Sequence, residues 1–391
     1  MRRPNRRSVL GGGVAAVLAA AGLTACAQDQ EKKAGRAPAG TRETAAPSRE
    51  QAGLFMPAET REHVRTFMSW PPLDSAWEDM AGDVQRDIAG IARALAEFEP
   101  VVMLSAPKEA KAARRACGSG VEVIAVPTDD LWMRDSGPTF VQGPEGLAGI
   151  DLHFNGWGGK QEHEHDAKVA RTVLEYAGAP RVDAPLVGEG GSLEVDGHGT
   201  LLVTESSLVN SNRNPYLSRD EIETSLKQLV GADKVIWFKG VKGQDITDYH
   251  VDSLARFAEN GVVLLSRAWA GDGPDVWTRA YDQARGVLEN ATDARGRKFE
   301  IIDLPEPDPA RLGRRGEDFL GSYANYYIAN DAVLIPRFGD RKADQQAAAV
   351  IGDLYPNREI LQLEIHTVAE GGGGIHCATQ QQPQTAESSS S

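Results

Sequence analysis

The sequence predicts an α/β fold arranged as one continuous domain. Short apolar runs of strand length alternate with longer segments of helical periodicity, and this alternation is typical of mixed α/β folds. No Pro-, Gly- or Ser-rich linker interrupts the alternation between residues 52 and 383. We therefore interpret 52–383 as a single domain, which is long enough to bury a sizeable core.

The first helix is predicted over residues 79–98. Apolar residues recur there at spacings of four, three, four and three, so they share one face. A buried strand is predicted directly afterwards, at 101–104. A second helix is predicted over 164–177, with Gly178 as its stop. The apolar face of the first helix consists of Val84, Ile88, Ile91, Leu95 and Phe98.

The clearest helix start lies at Ser218. Ser218 and Glu221 have the spacing of a capping box, and Leu217 and Ile222 can form a hydrophobic staple around it. Shorter patterns predict four further elements, which are strands at 262–265 and 332–335 and helices at 273–297 and 342–354.

The first 26 residues have the pattern of an export signal, a cationic start followed by a short apolar stretch. The segment around Arg6 and Arg7 resembles the twin-arginine motif, and Leu23 to Cys26 resembles a bacterial lipobox. An ordinary cleaved signal is the alternative. We expect export by the twin-arginine route, to the outer face of the cytoplasmic membrane as a lipoprotein or into the medium. Disorder is predicted for a tether, 27–51, and for a tail, 384–391.

Charge and cysteine content exclude several classes of protein. The chain has 42 Lys and Arg against 56 Asp and Glu, a net charge of −14. An acidic chain is a poor nucleic-acid binder, and it favours small cationic partners. The three cysteines, Cys26, Cys117 and Cys377, are too few for a disulfide scaffold or a four-cysteine zinc site.

Cys377 is the first candidate for chemistry. Two residues separate it from a run of four glycines, Gly371 to Gly374. The backbone N–H groups of such a turn can hold a reactive thiolate. The alternative is a buried structural cysteine. Cys117 lies in a predicted helix end and receives no role.

Asp248, His250 and Asp252 form the second candidate. If the segment is extended, all three side chains point to one face. Such a face can ligate a divalent metal. It can also combine a histidine acid/base with carboxylates that grip a cation. A solvated strand edge remains the third interpretation.

Two further segments carry carboxylates beside turns. In Asp129 to Pro138, Trp132 lies among acidic residues, and a Trp face beside carboxylates suits a planar cation. The alternative there is a turn salt bridge from Arg134 with Trp132 in the core. Glu189 precedes Gly190 in another glycine turn. None of the glycine segments matches a nucleotide-binding motif.

Together with other segments, these candidates resemble the agmatine deiminase family, which also contains the bacterial peptidylarginine deiminase. The similar segments run in order over about 56–383, nearly the whole predicted domain. They are Met56–Glu59, Trp70–Pro71, Trp132–Pro138, Phe154–Lys160, Glu189–Ser192, Asn212–Pro215, His250–Asp252, Ser322–Tyr327 and Gly373–Pro383.

The resemblance implies the pentein fold, a pseudo-fivefold α/β propeller of ββαβ-like units around a central site. It implies that Cys377 is the nucleophile and His250 the general acid/base. Asp135 and Asp252 match carboxylates that bind the guanidinium, and Glu189 matches a further active-site acid. Trp132 is expected to line the pocket, and Asn325 is expected among the substrate-binding residues. No metal or other cofactor is implied.

The implied reaction is hydrolysis of a guanidino group through a thiouronium adduct on Cys377, with agmatine as the leading substrate. We expect much of the thiolate to form only when the cation is bound. Arginine in peptides is the alternative substrate. A metal-dependent ureohydrolase and a non-catalytic lipoprotein that binds a cationic solute are less favoured. No oligomeric state is predicted.

Three segments depart from the family pattern. Tyr249 stands where the family often has Gly, and we expect this bulky residue to narrow or reshape the pocket. Glu194 begins a Glu-Val-Asp where His-Val-Asp is usual. Thr367 to Glu370 precedes the glycine run, where the family usually has an apolar stretch.

Overall fold

The computed structural model describes residues 53–259, 261–269, 271 and 273–385. The predicted export signal, 1–26, and tether, 27–51, lie outside the described residues, as do 386–391 of the predicted tail. No helix within the described ranges is long and apolar enough to cross a membrane.

The first sheet contains three consecutive parallel strands that cross over through helices. Its central strand is buried along its whole length, as expected for a parallel strand covered on both faces. The elements are β1 (His63–Ser69), α1 (Ala81–Leu95), β2 (Val101–Ser105), α2 (Ala110–Cys117) and β3 (Val121–Ala125).

Four further units repeat one plan: two antiparallel strands, a helix, and a third strand parallel to the second. After the short helix α3 (Met133–Ser136), the second unit has β4 (Thr139–Gly143), β5 (Gly146–Asp151), α4 (Gly156–Gly159), α5 (Val169–Ala177) and β6 (Arg181–Asp183). The third has β7 (Glu194–Val195), β8 (Thr200–Thr204), α6 (Glu205–Leu208), α7 (Arg219–Val230) and β9 (Lys234–Phe238). The fourth has β10 (Ala255–Glu259), β11 (Val262–Arg267), α8 (Val276–Asn290) and β12 (Glu300–Pro305). The fifth has β13 (Tyr327–Ile328), β14 (Ala332–Arg337), α9 (Arg341–Leu354) and β15 (Glu359–Glu364).

The end of the described chain returns to its beginning. After α10 (His366–Glu370), β16 (Thr379–Pro383) pairs antiparallel with β1. The first sheet thereby acquires the same antiparallel-then-parallel order as the other four, with β3 as an extra strand. The fold is the predicted pseudo-fivefold pentein arrangement.

The helices follow the predicted patterns. Val84, Ile88 and Leu95 of α1 are fully buried, and each such side chain contributes about 1.5–3 kcal/mol by leaving water. In α7, Ser218 Oγ accepts the Glu221 N–H at 3.3 Å, and Glu221 accepts the Ser218 N–H at 2.8 Å, so the predicted capping box forms.

Three helices are shorter than predicted: α1 covers Ala81–Leu95 of the predicted 79–98, α5 covers Val169–Ala177 of the predicted 164–177, and α8 differs most. The periodicity predicted a helix over 273–297, whereas α8 ends at Asn290. Beyond it, the Asp293 carboxylate accepts the backbone N–H groups of Arg295 and Arg297 at 2.9 and 2.8 Å. A side chain that captures nearby backbone donors favours a turn over continued helix.

Candidate active site

The connections between successive units bring the predicted site residues together. Each of the five sheet-to-sheet junctions carries at least one of them. Three of these residues each lie in or next to a short helical turn of their own. Asp135 lies in α3, Glu189 precedes the turn Gly190–Ser192, and Asp252 lies in the turn Val251–Ser253. The other junctions supply Asn325, before β13, and Cys377, before β16.

Cys377 lies in the last junction with its side chain 5% exposed. The Asn325 amide N–H donates to Cys377 Sγ at 3.1 Å, and the Cys377 backbone N–H donates to Asn325 Oδ1 at 3.1 Å. Sγ also lies 3.5 Å from Asp252 Oδ2. Burial, together with the charges of Asp252 and Asp135, raises the pKa of the Cys377 thiol well above its usual value. These surroundings therefore favour the neutral thiol over the thiolate.

The glycines before Cys377 allow this approach. A Cβ on Gly374 would lie 2.6 Å from Asn325 Oδ1, closer than real Cβ contacts permit. A Cβ on Gly373 would overlap the Trp132 ring. The glycine run is thus required by close packing around the nucleophile, as expected where backbone must approach another group.

His250 is buried among carboxylates. Its Nε2 lies 3.2 Å from Glu189 Oε2 and its Nδ1 lies 3.6 Å from Asp135 Oδ1. Nδ1 has no hydrogen-bond partner among the described residues. Burial favours the neutral ring, but three carboxylates outweigh it and raise the pKa of His250 to about 9. They are those of Asp135, Glu189 and Asp252.

Glu189 is fixed from its other side by Arg213. The Arg213 Nε–H donates to Glu189 Oε1 at 2.9 Å, and both side chains are fully buried. Burial alone would raise the pKa of Glu189, but the His250 hydrogen bond and the Arg213 charge lower it. Glu189 therefore stays ionised and orients the imidazole.

The placement predicted for Asp248 is wrong. Asp248 and Tyr249 have positive φ angles of 60° and 68°, so the segment is not an extended strand. Asp248 Oδ2 instead accepts from Arg213 Nη1 at 2.5 Å and from Lys160 Nζ at 2.7 Å. It fixes Arg213 and does not join His250 and Asp252. Within the described ranges, no cluster of three or more His, Cys, Asp or Glu side chains has a metal-binding arrangement.

His376 holds Asp252 and was missed from the sequence. Its Nδ1 lies 2.8 Å from Asp252 Oδ2 and its Nε2 lies 2.8 Å from Glu59 Oε2. Burial would raise the pKa of Asp252, but the hydrogen bond and charge of His376, with the charge of His250, lower it to about 2. Glu59 is in turn paired with Arg134 and Arg256.

Asp135 is the second central carboxylate. Gly191 N–H donates to its Oδ1 at 3.1 Å, and the Trp157 indole N–H donates to its Oδ2 at 2.9 Å. Trp157 reaches it because the backbone of α4 is left-handed there, with a φ of 53°. Burial raises the pKa of Asp135, although the His250 charge opposes this.

Gly191 marks the point where these groups converge. A Cβ on Gly191 would lie 2.6 Å from His250 Nδ1, 2.9 Å from Asp135 Oδ1 and 3.1 Å from Asp252 Oδ2. Two carboxylates and one imidazole thus face a single small space next to the thiol. Such a space suits a flat cation with several N–H groups, which carboxylates bind in pairs.

A cavity of about 430 Å³ opens beside this centre. Trp132 lines it, and its indole N–H donates to Asp130 Oδ2 at 3.0 Å. Aromatic rings and carboxylates dominate the described lining, which includes neither Lys nor Arg. The lining carboxylates are those of Asp130, Asp245, Glu306, Glu317, Asp318 and Glu370.

The structure brings together six predicted residues and places the seventh, Trp132, in the cavity wall. The six are Cys377, His250, Asp135, Asp252, Glu189 and Asn325. Four supporting residues received no role from the sequence, although all four lie inside the segments that carried the resemblance. They are Glu59, Trp157, Arg213 and His376.

A five-unit propeller with a thiol, an imidazole and paired carboxylates at its centre defines a pentein of the guanidino-modifying class. The family model for the Porphyromonas-type peptidyl-arginine deiminase matches residues 55–383. The chain therefore belongs to this family.

Curated relatives and solved structures carry the name agmatine deiminase. The chain is 38% identical to the agmatine deiminase of Stutzerimonas stutzeri over 85% of this chain and 96% of the relative. It is 37% identical to that of Medicago truncatula, with the same coverage of both. The structure of the agmatine deiminase of Enterococcus faecalis superposes with a TM-score of 0.79 at 30% identity, over 88% of this chain and 100% of that one.

Proposed function

We propose that the chain hydrolyses agmatine and water to N-carbamoylputrescine and ammonia. The observation that carries this proposal is the convergence of His250, Asp135 and Asp252 on Gly191, next to the Cys377 thiol. The similarity to agmatine deiminases from a bacterium and a plant supports the choice of substrate.

The first half of the reaction removes ammonia. Asp135 and Asp252 accept the N–H groups of the guanidinium and hold its plane against Cys377 Sγ. The bound cation offsets the two carboxylate charges that raise the thiol pKa, so the thiol loses its proton to solvent on binding. The thiolate adds to the central carbon, and the His250 imidazolium protonates the departing nitrogen, which leaves as ammonia.

The second half restores the enzyme. Neutral His250 takes a proton from water, and the resulting hydroxide adds to the carbon of the thiouronium adduct. The C–S bond then breaks, which releases the urea product and the Cys377 thiolate. The hydroxyl proton of the intermediate leaves to solvent, where it protonates the ammonia. His250 ends protonated, and the Cys377 thiolate regains from solvent the proton that it lost on substrate binding, so the enzyme is ready for the next cycle.

Peptidylarginine deimination is the second candidate. The match to the family of the Porphyromonas-type peptidyl-arginine deiminase favours it, and a wide cavity can admit a peptide. Free arginine is the weakest candidate, because its α-carboxylate would enter a cavity whose described lining has six carboxylates and no Lys or Arg.

Ammonia release tests the proposal. Agmatine, a blocked arginine peptide and free arginine are supplied to the purified chain in parallel. We expect ammonia from agmatine, and none after Cys377→Ala. Cys117→Ala is the matched control, because Cys117 is also buried but packs in the apolar core. Urea release would favour a metal-type ureohydrolase, and binding without turnover would favour a solute-binding protein.

We also propose that the chain is exported by the twin-arginine route and anchored through a lipid on Cys26. Arg6, Arg7 and the Leu23 to Cys26 segment support this proposal. Metabolic labelling with a fatty acid tests it. Label is expected in the wild-type chain and absent after Cys26→Ala.

A further inference from the structure

Tyr249 has a backbone conformation that a tyrosine rarely adopts. Its φ of 68° lies in the left-handed region, which is strained for a residue other than Gly. Its neighbours enforce this conformation. The Tyr249 N–H donates to Asp245 Oδ1 at 3.1 Å, and its carbonyl accepts from Thr204 Oγ1 at 2.8 Å. Such strain persists where the side chain has a function that a glycine would not supply.

The Tyr249 side chain faces the cavity beside the catalytic centre. It is 6% exposed and lines that cavity, with its ring 5.0 Å from the ring of Trp277. No described residue forms a hydrogen bond with the phenol oxygen. Because Tyr249 lines an open cavity, its phenol oxygen can exchange a hydrogen bond with a ligand that enters there.

Glu306 lies in the same wall and has no cationic partner among the described ion pairs. Its carboxylate accepts the Ser266 hydroxyl at 2.9 Å. Burial raises the pKa of Glu306, and the nearby Asp275 charge adds to this effect. A partly buried carboxylate that lacks a cationic partner is stabilised when a cation binds beside it.

We infer that Tyr249, Trp277 and Glu306 form a second cation subsite, which binds the primary ammonium at the far end of the substrate. An ammonium has three N–H donors, which suit the phenol oxygen, the carboxylate and the Trp277 ring face. The subsite adjoins the catalytic centre, since Tyr249 precedes His250 and since Ser253, next to Asp252, lines the same cavity. This inference rests on the proposed function.

The test compares agmatine with pentylguanidine, which replaces the ammonium by a methyl group and keeps the guanidinium. For the wild-type chain we expect a higher kcat/KM with agmatine. Glu306→Gln should lower kcat/KM for agmatine by about 10–100-fold, the effect of a lost bond to a charged group. Tyr249→Phe should lower it by about 3–10-fold. Neither variant should change kcat/KM for pentylguanidine.

Glu359→Gln and Tyr216→Phe, at two exposed residues, are the matched controls. Neither should change kcat/KM for either substrate. The subsite would be overturned if Glu306→Gln and Tyr249→Phe lowered kcat/KM equally for both substrates. It would also be overturned if the wild-type chain had equal kcat/KM for the two substrates. In either case, agmatine turnover would leave the proposed function intact. Absence of ammonia from agmatine in the wild-type chain would overturn the proposed function and the subsite with it.

Discussion

Two buried histidines lie in the same site, and they are held in different ways. His376 uses both ring nitrogens, one towards Asp252 and the other towards Glu59, each at 2.8 Å. His250 uses only Nε2, towards Glu189, and leaves Nδ1 without a hydrogen-bond partner among the described residues. Their exposure is nearly equal, at 1% and 2%.

This difference distinguishes a histidine that transfers protons from a histidine that positions neighbouring carboxylates. A proton-transfer residue needs one nitrogen free to face the reacting atoms. A histidine with both nitrogens bound to carboxylates fixes those carboxylates, as outer-sphere partners do around other reactive groups. We therefore expect His250 to act on the substrate and His376 to act through Asp252.

The largest effect is expected for His250→Gln. Removing the proton donor and acceptor should lower kcat by about 10²–10⁴-fold, the usual contribution of general acid–base catalysis. Steady-state ammonia release measures it. His165→Gln is the control, because His165 is exposed and pairs with Asp129. A variant with near wild-type kcat would show that His250 does not transfer the proton.

A smaller and different effect is expected for His376→Gln. Loss of the hydrogen bond from His376 should raise the pKa of Asp252 from about 2, so Asp252 would lose its ionised form at higher pH than in the wild-type chain. We expect kcat/KM to fall by about 10-fold at neutral pH, the scale of a positioning loss, with the acidic limb of the pH profile shifted upward. A fall in kcat as large as that of His250→Gln would remove the distinction between the two histidines.

The smallest effect is a pH dependence of stability. The folded pKa of His250, about 9, is above its unfolded value of about 6.5. Its contribution to the free energy of unfolding is therefore fully present below about pH 6.5 and is lost as pH rises through about 9. Chemical denaturation at several pH values should show this loss in the wild-type chain and in His376→Gln, but not in His250→Gln. If the free energy of unfolding of His250→Gln depended on pH as it does in the wild-type chain, the raised pKa of His250 would be contradicted.

Local elements were predictable from the sequence because their causes are local. The α1 face and the Ser218 cap depend on residues within a few positions of each other. The fivefold plan came only from the family resemblance. The five units share strand order, but their strands range from two residues in β7 to seven in β1, so no regular spacing of apolar residues marks them.

The site was predictable where a segment carried its own reactive residue, and less so where a role depends on distant partners. His376 lies next to Cys377 in sequence, yet its role comes from Asp252 and Glu59, which are 124 and 317 positions away. Asp248 was misplaced because strand alternation fails where φ is positive. Two successive left-handed residues turn its carboxylate to Arg213.

A covalent intermediate on Cys377 is the central claim, and mass spectrometry tests it most directly. The wild-type chain is mixed with agmatine, quenched in acid during turnover and digested. The account predicts that the peptide containing Cys377 gains the mass of agmatine minus ammonia, and that Cys377→Ala neither gains this mass nor releases ammonia. An adduct on another residue, or ammonia release that persists in Cys377→Ala, would contradict it.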